Sequence, residues 1–386
     1  GWNGTSWSSE TNYPATSQGS AGVGIESAGL VFAPSPNSTN AFKYDGTTFT
    51  AAPSLGNGRQ NGSRAGTTSA ALAFGGNNGS GGNFTEEFNS STNAITAAAW
   101  ASGGALNAAK DEGASSQNGL QTAALYFGGY SGTAVLATNE QYDGTSWSEQ
   151  NDLGTARFSL GGAGTTAAAL AYGGAASGGG TVYNNSEEYN GSSWSEGNNL
   201  NTARWVLGGC GTQTAAIGYG GTPGQKNETE EYDGTSWSEQ NNLSTARASL
   251  CGGIGIQTAA IAVGGQTPSY TTATEEYDGS SWTAGGSLNT VRAIGAGMGT
   301  ATDGMVAGGS TGPGPSGYSA ISEGYDGTAW STRPSLATAR IHVSGTGTST
   351  AGIAFGGQNN SGTPVTSTEE FTGETTAANV TDFTTS

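Results

Sequence analysis

Seven of the eleven basic residues stand four positions after a Leu: Arg59, Lys110, Arg157, Arg204, Arg247, Arg292 and Arg340. A lone guanidinium in such a place could grip an acidic substrate. Seven in one register read as scaffold. A Glu stands two residues before a recurring Tyr or Phe in seven places as well: Glu86, Glu140, Glu187, Glu230, Glu275, Glu323 and Glu369. The first stretch of the chain has Phe42 where the Glu belongs and Ser17 where the base belongs. The two losses fall together, which implies that each base pairs with the Glu of its own repeat. Pairing across repeats would strand a charge on either side, and breaking a buried pair costs about 3–5 kcal/mol.

Other groups that could do chemistry lack the company they need. Doublets such as Glu187-Glu188 and Glu230-Glu231 suggest a general acid and base, but neighbours on a strand point to opposite faces and cannot converge on one bond. His342 is the single histidine, and it stands two residues after Arg340 on an expected strand. With it and only Cys210 and Cys251 as soft ligands, no metal site and no cofactor are expected. Whether the two cysteines bridge is left open. A Ser-His-Asp triad would need a strained nucleophile elbow, and no such elbow is expected. "YDGTSW" places Gly directly after Asp, unlike a sialidase Asp box, and no EF-hand loop occurs.

The composition bounds the rest. Sixty-nine glycines and 10% charged residues suggest disorder, but nine Trp, fourteen Tyr and eleven Phe at regular places supply the apolar mass a fold needs. A net charge of −18 argues against nucleic acid and anionic membrane surfaces, which call for clustered Lys and Arg. No apolar run is long enough to insert in a membrane as a helix. A start at Gly1 rather than Met reads as a processed or truncated end.

The elements that position these residues follow from a repeat. Trp7, Phe49, Trp100, Trp147, Trp194, Trp237, Trp282, Trp330 and Phe383 are 42 to 53 residues apart, which defines eight units, approximately 8–49, 50–100, 101–147, 148–194, 195–237, 238–282, 283–330 and 331–386. Each has a short apolar run before a Gly pair, as in "LAYGG" ending at Gly174, which reads as a buried strand. The first unit has Ala33-Pro34 there instead. Asp143-Gly144, Asn190-Gly191, Asp233-Gly234, Asp278-Gly279 and Asp326-Gly327 then predict tight two-residue hairpins. A small-residue strand after the base, as in "ARFSLGGAG", suits a crowded axis. Four short strands per unit predict an all-β chain, a single β-propeller domain over 1–386 with eight blades, seven being the alternative. "WNGTSW" at 2–7 is half of a hairpin phrase, so residues 1–7 are expected to close the ring as outer strand of the blade holding Phe355 to Phe371. The competing reading is that the last unit finishes itself, because Phe88 to Trp100 and Phe371 to Phe383 both span twelve residues.

The Gly pair, the Tyr, the Trp five residues on and the Arg about ten later resemble the kelch repeat, over essentially the whole chain. That family forms β-propellers, commonly of six or seven blades, and includes both enzymes and binding platforms. The wording "YDGTSW…LNTAR" is also similar to propeller repeats of marine bacteriophage virion and fibre proteins. This second resemblance implies a non-enzymatic virion structural or fibre protein, at the virion surface or extracellular, that binds host-surface glycans, a receptor or other virion proteins. A homo-oligomer is compatible with it. The alternative is an extracellular adhesin of a marine bacterium, and the third reading a carbohydrate-active enzyme. The variable segments after the Gly pairs, 77–85, 130–139, 175–186, 222–229, 266–274, 310–322 and 358–368, should share one rim. Phe84, Tyr130, Tyr183, Tyr270 and Tyr318 within them are the candidate sugar-stacking residues.

Overall fold

The computed structural model describes residues 5, 11–15, 20–25, 27–32, 37–77, 84–89, 93–176, 180–378 and 383–385. Among them stand eight four-stranded antiparallel sheets, the number expected from the repeat. Where the sequence reads as one domain, the chain falls into two compact units, Gly1–Thr96 with Thr375–Ser386, and Ala97–Glu374.

The larger unit holds six blades. Blade one is Ala114–Ser115, Ala124–Phe127, Asn139–Tyr142 and Trp147–Gln150; blade two Gly161–Gly164, Ala169–Tyr172, Ser186–Tyr189 and Trp194–Gly197. Blade three is Gly208–Thr212, Ala215–Tyr219, Thr229–Tyr232 and Trp237–Gln240; blade four Ile254–Ile256, Ala259–Val263, Thr274–Tyr277 and Trp282–Ala284. Blade five is Ala296–Thr300, Asp303–Ala307, Ser322–Tyr325 and Trp330–Arg333; blade six Ser344–Gly347, Ala351–Phe355, Thr368–Thr372 and Ala99–Ser102. The first strands touch in cyclic order, and blade six returns to blade one. Thr346 Oγ1 donates to Ser116 O, and Ser115 Oγ to Gly345 O, both at 2.8 Å. Glycine is required where these inner strands meet: a Cβ on Gly253 would lie 1.7 Å from Gly209 O, and one on Gly297 1.9 Å from Gly252 O.

The ring closes differently from the expectation. The outer strand of blade six is Ala99–Ser102, with Trp100 opposite Phe371. The place expected for Trp7 is therefore taken, and Trp7 itself lies outside the described residues. The competing reading fails too, because Phe383 pairs with Phe88 in the smaller unit. The two twelve-residue arms have exchanged ends, and they run alongside each other where Thr375–Ala378 pairs with Asn93–Thr96. Equal arm lengths let either closure satisfy the ladder.

The smaller unit has a first sheet of Ala21–Ile25, Ala28–Phe32, Ala41–Tyr44 and Phe49–Ala52. Its second sheet is Ser63–Gly66, Ala70–Phe74, Thr85–Asn89 and Phe383–Thr385. Leu30, Phe32, Ala71, Ala73 and Phe88 make the core between them.

The hairpins also differ from the two-residue turns expected. Tyr232 faces Trp237, leaving four residues in the loop, and Asp233 keeps an ordinary φ while Gly234 takes +89°. The reason is the Asp side chain, whose Oδ1 accepts the N–H of Thr235 at 2.8 Å and of Ser236 at 2.7 Å. That bonding puts Asp at the first position of the loop.

Four of the six ring blades lean on the one before them through two or three of the same devices. The Trp indole donates to a Ser or Thr of the preceding blade: Trp237 to Ser186 at 3.0 Å, Trp282 to Thr229 at 3.0 Å, Trp330 to Thr274 at 3.1 Å and Trp147 to Thr368 at 2.9 Å. The Tyr hydroxyl donates to the second Glu of that blade's doublet, in Tyr232 to Glu188, Tyr277 to Glu231, Tyr325 to Glu276 and Tyr142 to Glu370. At three seams a Gln, as Gln257 does, spans two carbonyls of the preceding blade. The seam between blades one and two has none of these. Asn139 and Gln141 replace the acceptors, and Trp194 Nε1, Tyr189 Oη and Asn139 Oδ1 are buried without partners.

Candidate functional site

The register that supplies the ion pairs also shapes one face of the ring. Each of the seven bases is buried against the Glu of its own sheet: Arg59 with Glu86, Lys110 with Glu140 at 3.2 Å, Arg157 with Glu187, Arg204 with Glu230 at 2.9 Å, Arg247 with Glu275 at 2.8 Å, Arg292 with Glu323 at 3.0 Å and Arg340 with Glu369 at 2.9 Å. The Leu four residues earlier is buried, and the loop after it turns backbone N–H groups onto the same carboxylate. Gly154 and Thr155 both donate to Glu187, and Asn201 and Thr202 to Glu230. The guanidinium spends its other nitrogen on carbonyls, Arg204 Nη1 on Glu228 O at 2.7 Å and Gly220 O at 3.2 Å. Burial pulls the Arg204 pKa down and Glu230 pulls it back. Both terminal nitrogens of that fork bond within the sheet, while Nε is buried without a partner, and the other six pairs are buried in the same register.

Beyond the base, the next residue pairs with the residue after the Gly pair, as Asp111 does with Tyr130, Phe158 with Ala175 and Trp205 with Thr222. The variable segments therefore leave from the face on which each inner strand begins. The residue after that takes a left-handed conformation in all six blades: Glu112 (φ 53°), Ser159 (51°), Val206 (54°), Ser249 (55°), Ile294 (51°) and His342 (52°). For Val206 and Ile294, β-branched residues, this is strained by about 1–3 kcal/mol. A belt of amides holds them. Ser159 N–H donates to Glu112 O at 2.7 Å, Val206 to Ser159 at 2.8 Å, Ser249 to Val206 at 3.1 Å, Ile294 to Ser249 at 3.0 Å and His342 to Ile294 at 2.9 Å.

At the sixth seam side chains meet. His342 Nδ1 lies 3.4 Å from Glu112 Oε1, and Ser159 Oγ donates to Glu112 Oε2. These residues line a cavity of about 100 Å³ at the axis, together with Gln117, Gly209 and Gly252. The order is Ser, Glu, His, so the hydroxyl faces a carboxylate and not the imidazole that a Ser-His-Asp triad would place there. Burial pulls the His342 pKa below its ordinary value, with Glu112 acting against it. Behind them Asp111 is buried with Oδ1 unpartnered, and burial, then the charge of Glu112, push its carboxyl up to about 7.

Tyr130, Tyr183, Tyr270 and Tyr318 lie half-buried in the segments of this face. Phe84 is not with them: it belongs to the smaller unit, where its carbonyl accepts from Arg59. Tyr318 Oη donates to Gln358 Oε1 at 2.6 Å. Two rings that sequence reasoning passed over extend the set, since Tyr130 lies 6.1 Å from Phe158 and Phe158 5.4 Å from Trp205. Their signal was available, because the two positions after each base are the most varied within an otherwise constant frame: Asp-Glu, Phe-Ser, Trp-Val, Ala-Ser, Ala-Ile and Ile-His. Cys210 and Cys251 are buried and unbridged, and among the described residues no three His, Cys, Asp or Glu are grouped to hold a metal.

Fold and site together define the larger unit as a closed six-bladed β-propeller with a polar mouth at its axis. Among solved structures, the chain is similar to YjhT, with a TM-score of 0.58 and 12% identity over 71% of this chain and 99% of that one. At that identity the likeness concerns the fold. No family model matches the sequence, and no curated protein matches it.

Proposed function

We propose that the protein is a non-enzymatic virion structural or fibre protein whose propeller, displayed at the virion surface or extracellularly, binds host-surface glycans through the face that carries the axial mouth. The observation that carries the binding part is the line of rings Tyr130, Phe158 and Trp205 with Tyr183, Tyr270 and Tyr318 on the same face. Aromatic faces among hydroxyls and amides suit a sugar ring, which stacks on the one and hydrogen-bonds to the other. The non-enzymatic part is supported by the Ser159, Glu112, His342 order, which is not that of a Ser-His-Asp triad, and by the engagement of the repeated charges within the blades. The virion part is supported by the likeness of the repeat wording to marine phage proteins.

A glycan array read beside a reducing-sugar release assay tests this. Wild-type protein is expected to bind without releasing sugar, and Trp205→Ala to lose binding at least tenfold with its melting temperature nearly unchanged. Sugar release would favour the carbohydrate-active enzyme, and absence from purified particles would favour the bacterial adhesin.

A further inference from the structure

Blade one closes the axis of the ring at the end opposite the mouth. Its inner strand, Ala114–Ser115, has two residues, where those of the other five blades have three to five. Glu112 precedes that strand and Gln117 follows it, so the two stand at its opposite ends. Past the strand the chain turns inward, held on both sides. Ser116 O accepts from Thr346 Oγ1 of blade six at 2.8 Å, and Asn118 N–H donates to Gly164 O of blade two at 3.0 Å. Gln117 between them reaches across to Gly252, just before the inner strand of blade four, where a Cβ would lie 3.6 Å from its Nε2. The cavity that opens at Glu112, Ser159 and His342 therefore has Gln117 as its floor.

The hydrogens at both ends of the cavity are already assigned. Ser115 Oγ donates to Gly345 O at 2.8 Å, so it can only accept from Gln117, 2.9 Å away. The Gln117 atom facing it is thus the amide nitrogen, and the atom left over is Oε1, buried without a partner. At the mouth Ser159 Oγ spends its hydrogen on Glu112 Oε2. Glu112 Oε1 has only His342 Nδ1 at 3.4 Å, longer than an ordinary N–H···O bond. Floor and mouth both present acceptors, and the wall between them includes the bare backbone of Gly161, Gly209 and Gly252. The charge there is negative. Asp111 adds a second carboxyl behind Glu112, and burial holds His342 toward its neutral form. Among the described residues the six register bases of the ring are buried in their pairs, and the one base of its variable segments, Lys226, is taken by Glu228 at 3.1 Å.

We infer that the cavity takes the protonated amine of an amino sugar, the ammonium donating to Glu112 Oε1 and an inward-facing hydroxyl of the same sugar to Gln117 Oε1. This rests on the glycan reading above and narrows it to one class of glycan. An ammonium brings three donors and a positive charge to a place that offers acceptors and a negative one. An N-acetylated sugar brings one N–H and no charge, and an acidic sugar brings a like charge. The aromatic line leads to this spot. Phe158 and Trp205 are the chain neighbours of Ser159 and Val206, which both line the cavity, so a glycan resting on those rings ends at the mouth.

Titration calorimetry of the full chain with a glucosamine tetramer, its N-acetylated form and a glucose tetramer tests it. The wild type should bind the free amine about tenfold more tightly than either neutral oligomer, an advantage that shrinks as salt is added. Glu112→Gln should abolish the advantage, and the neutral oligomers it still binds report that it is folded. Glu196→Gln removes an equal charge from the exposed outer strand of blade two and should keep the advantage. Gln117→Met should weaken all three oligomers alike. Equal binding of the three by the wild type, an advantage that survives Glu112→Gln, one that Glu196→Gln also removes, or full affinity in Gln117→Met would each overturn the inference and leave glycan binding standing. Binding of none of the three overturns it too, and a blank glycan array is the result that would strike the wider reading.

Discussion

The six-bladed ring and the two-sheet unit are written in the same phrase, yet Tyr172 of the ring is fully buried while Phe74 of the smaller unit, in the same register, is 38% exposed. The repeat encodes a blade. How many blades share an axis is decided elsewhere, by the exchange that sends Ala99–Ser102 to blade six and Phe383–Thr385 to the smaller unit.

The largest expected effect separates the two units. Arg204 and Arg59 are buried in equivalent pairs, so Arg204→Ala should cost about 3–5 kcal/mol in the melting of the ring, and Arg59→Ala a similar amount in the smaller unit. Lys226, paired with Glu228 in a variable segment and 20% exposed, should cost below about 1 kcal/mol when changed to Ala. Calorimetry checks all three, and equal shifts for Arg204→Ala and Lys226→Ala would refute the scaffold role.

Next comes Asp111, which has no counterpart in the smaller unit, where Gln60 holds its register. Its folded pKa of about 7 lies above the unfolded value near 3.9, so the stability linked to its proton is full below about pH 4 and lost as pH rises through 7. Asp111→Asn should therefore gain on the wild type by about 4 kcal/mol between pH 4 and pH 8. A pH-independent difference in melting would contradict this.

A smaller contrast lies between seams of the ring itself. Tyr142→Phe removes the hydroxyl bonded to Glu370 and should cost about 1–2 kcal/mol. Tyr189→Phe removes a buried hydroxyl with no partner and should be neutral or stabilising. Urea unfolding of both variants measures the difference. The smallest effect is in the hairpins, where backbone N–H groups lower the pKa of Asp143, Asp233 and Asp326. Stability from these carboxylates is present above the unfolded pKa and fades as pH falls below it, so Asp233→Ala should flatten the melting temperature slightly below pH 4.

Much of this was legible in the sequence because it repeats. Four strands per unit follow from the spacing, and the pairing of Arg157 with Glu187 within a unit follows from the joint loss at Ser17 and Phe42. The ring number was not legible, because arms of equal length at Phe88 to Trp100 and Phe371 to Phe383 fit the ladder in either arrangement. Nor was the left-handed belt, since Val206 and Ile294 are residue types that argue against such a backbone and accept it only under the constraint of the seam. The cluster of Glu112, Ser159 and His342 was hidden for another reason: its members come from three blades and meet only when the ring closes.

That closure is the central claim, and crosslinking tests it most directly. Ala101 lies opposite Glu370 in the exchanged arrangement, whereas an arm folded back on its own unit would place it opposite Glu87. A short thiol-specific crosslinker applied to native protein should join Ala101→Cys to Glu370→Cys within one chain and leave the Ala101→Cys, Glu87→Cys pair unjoined. Crosslinking of the second pair and not the first would mean that each unit finishes itself and that the ring does not close as described.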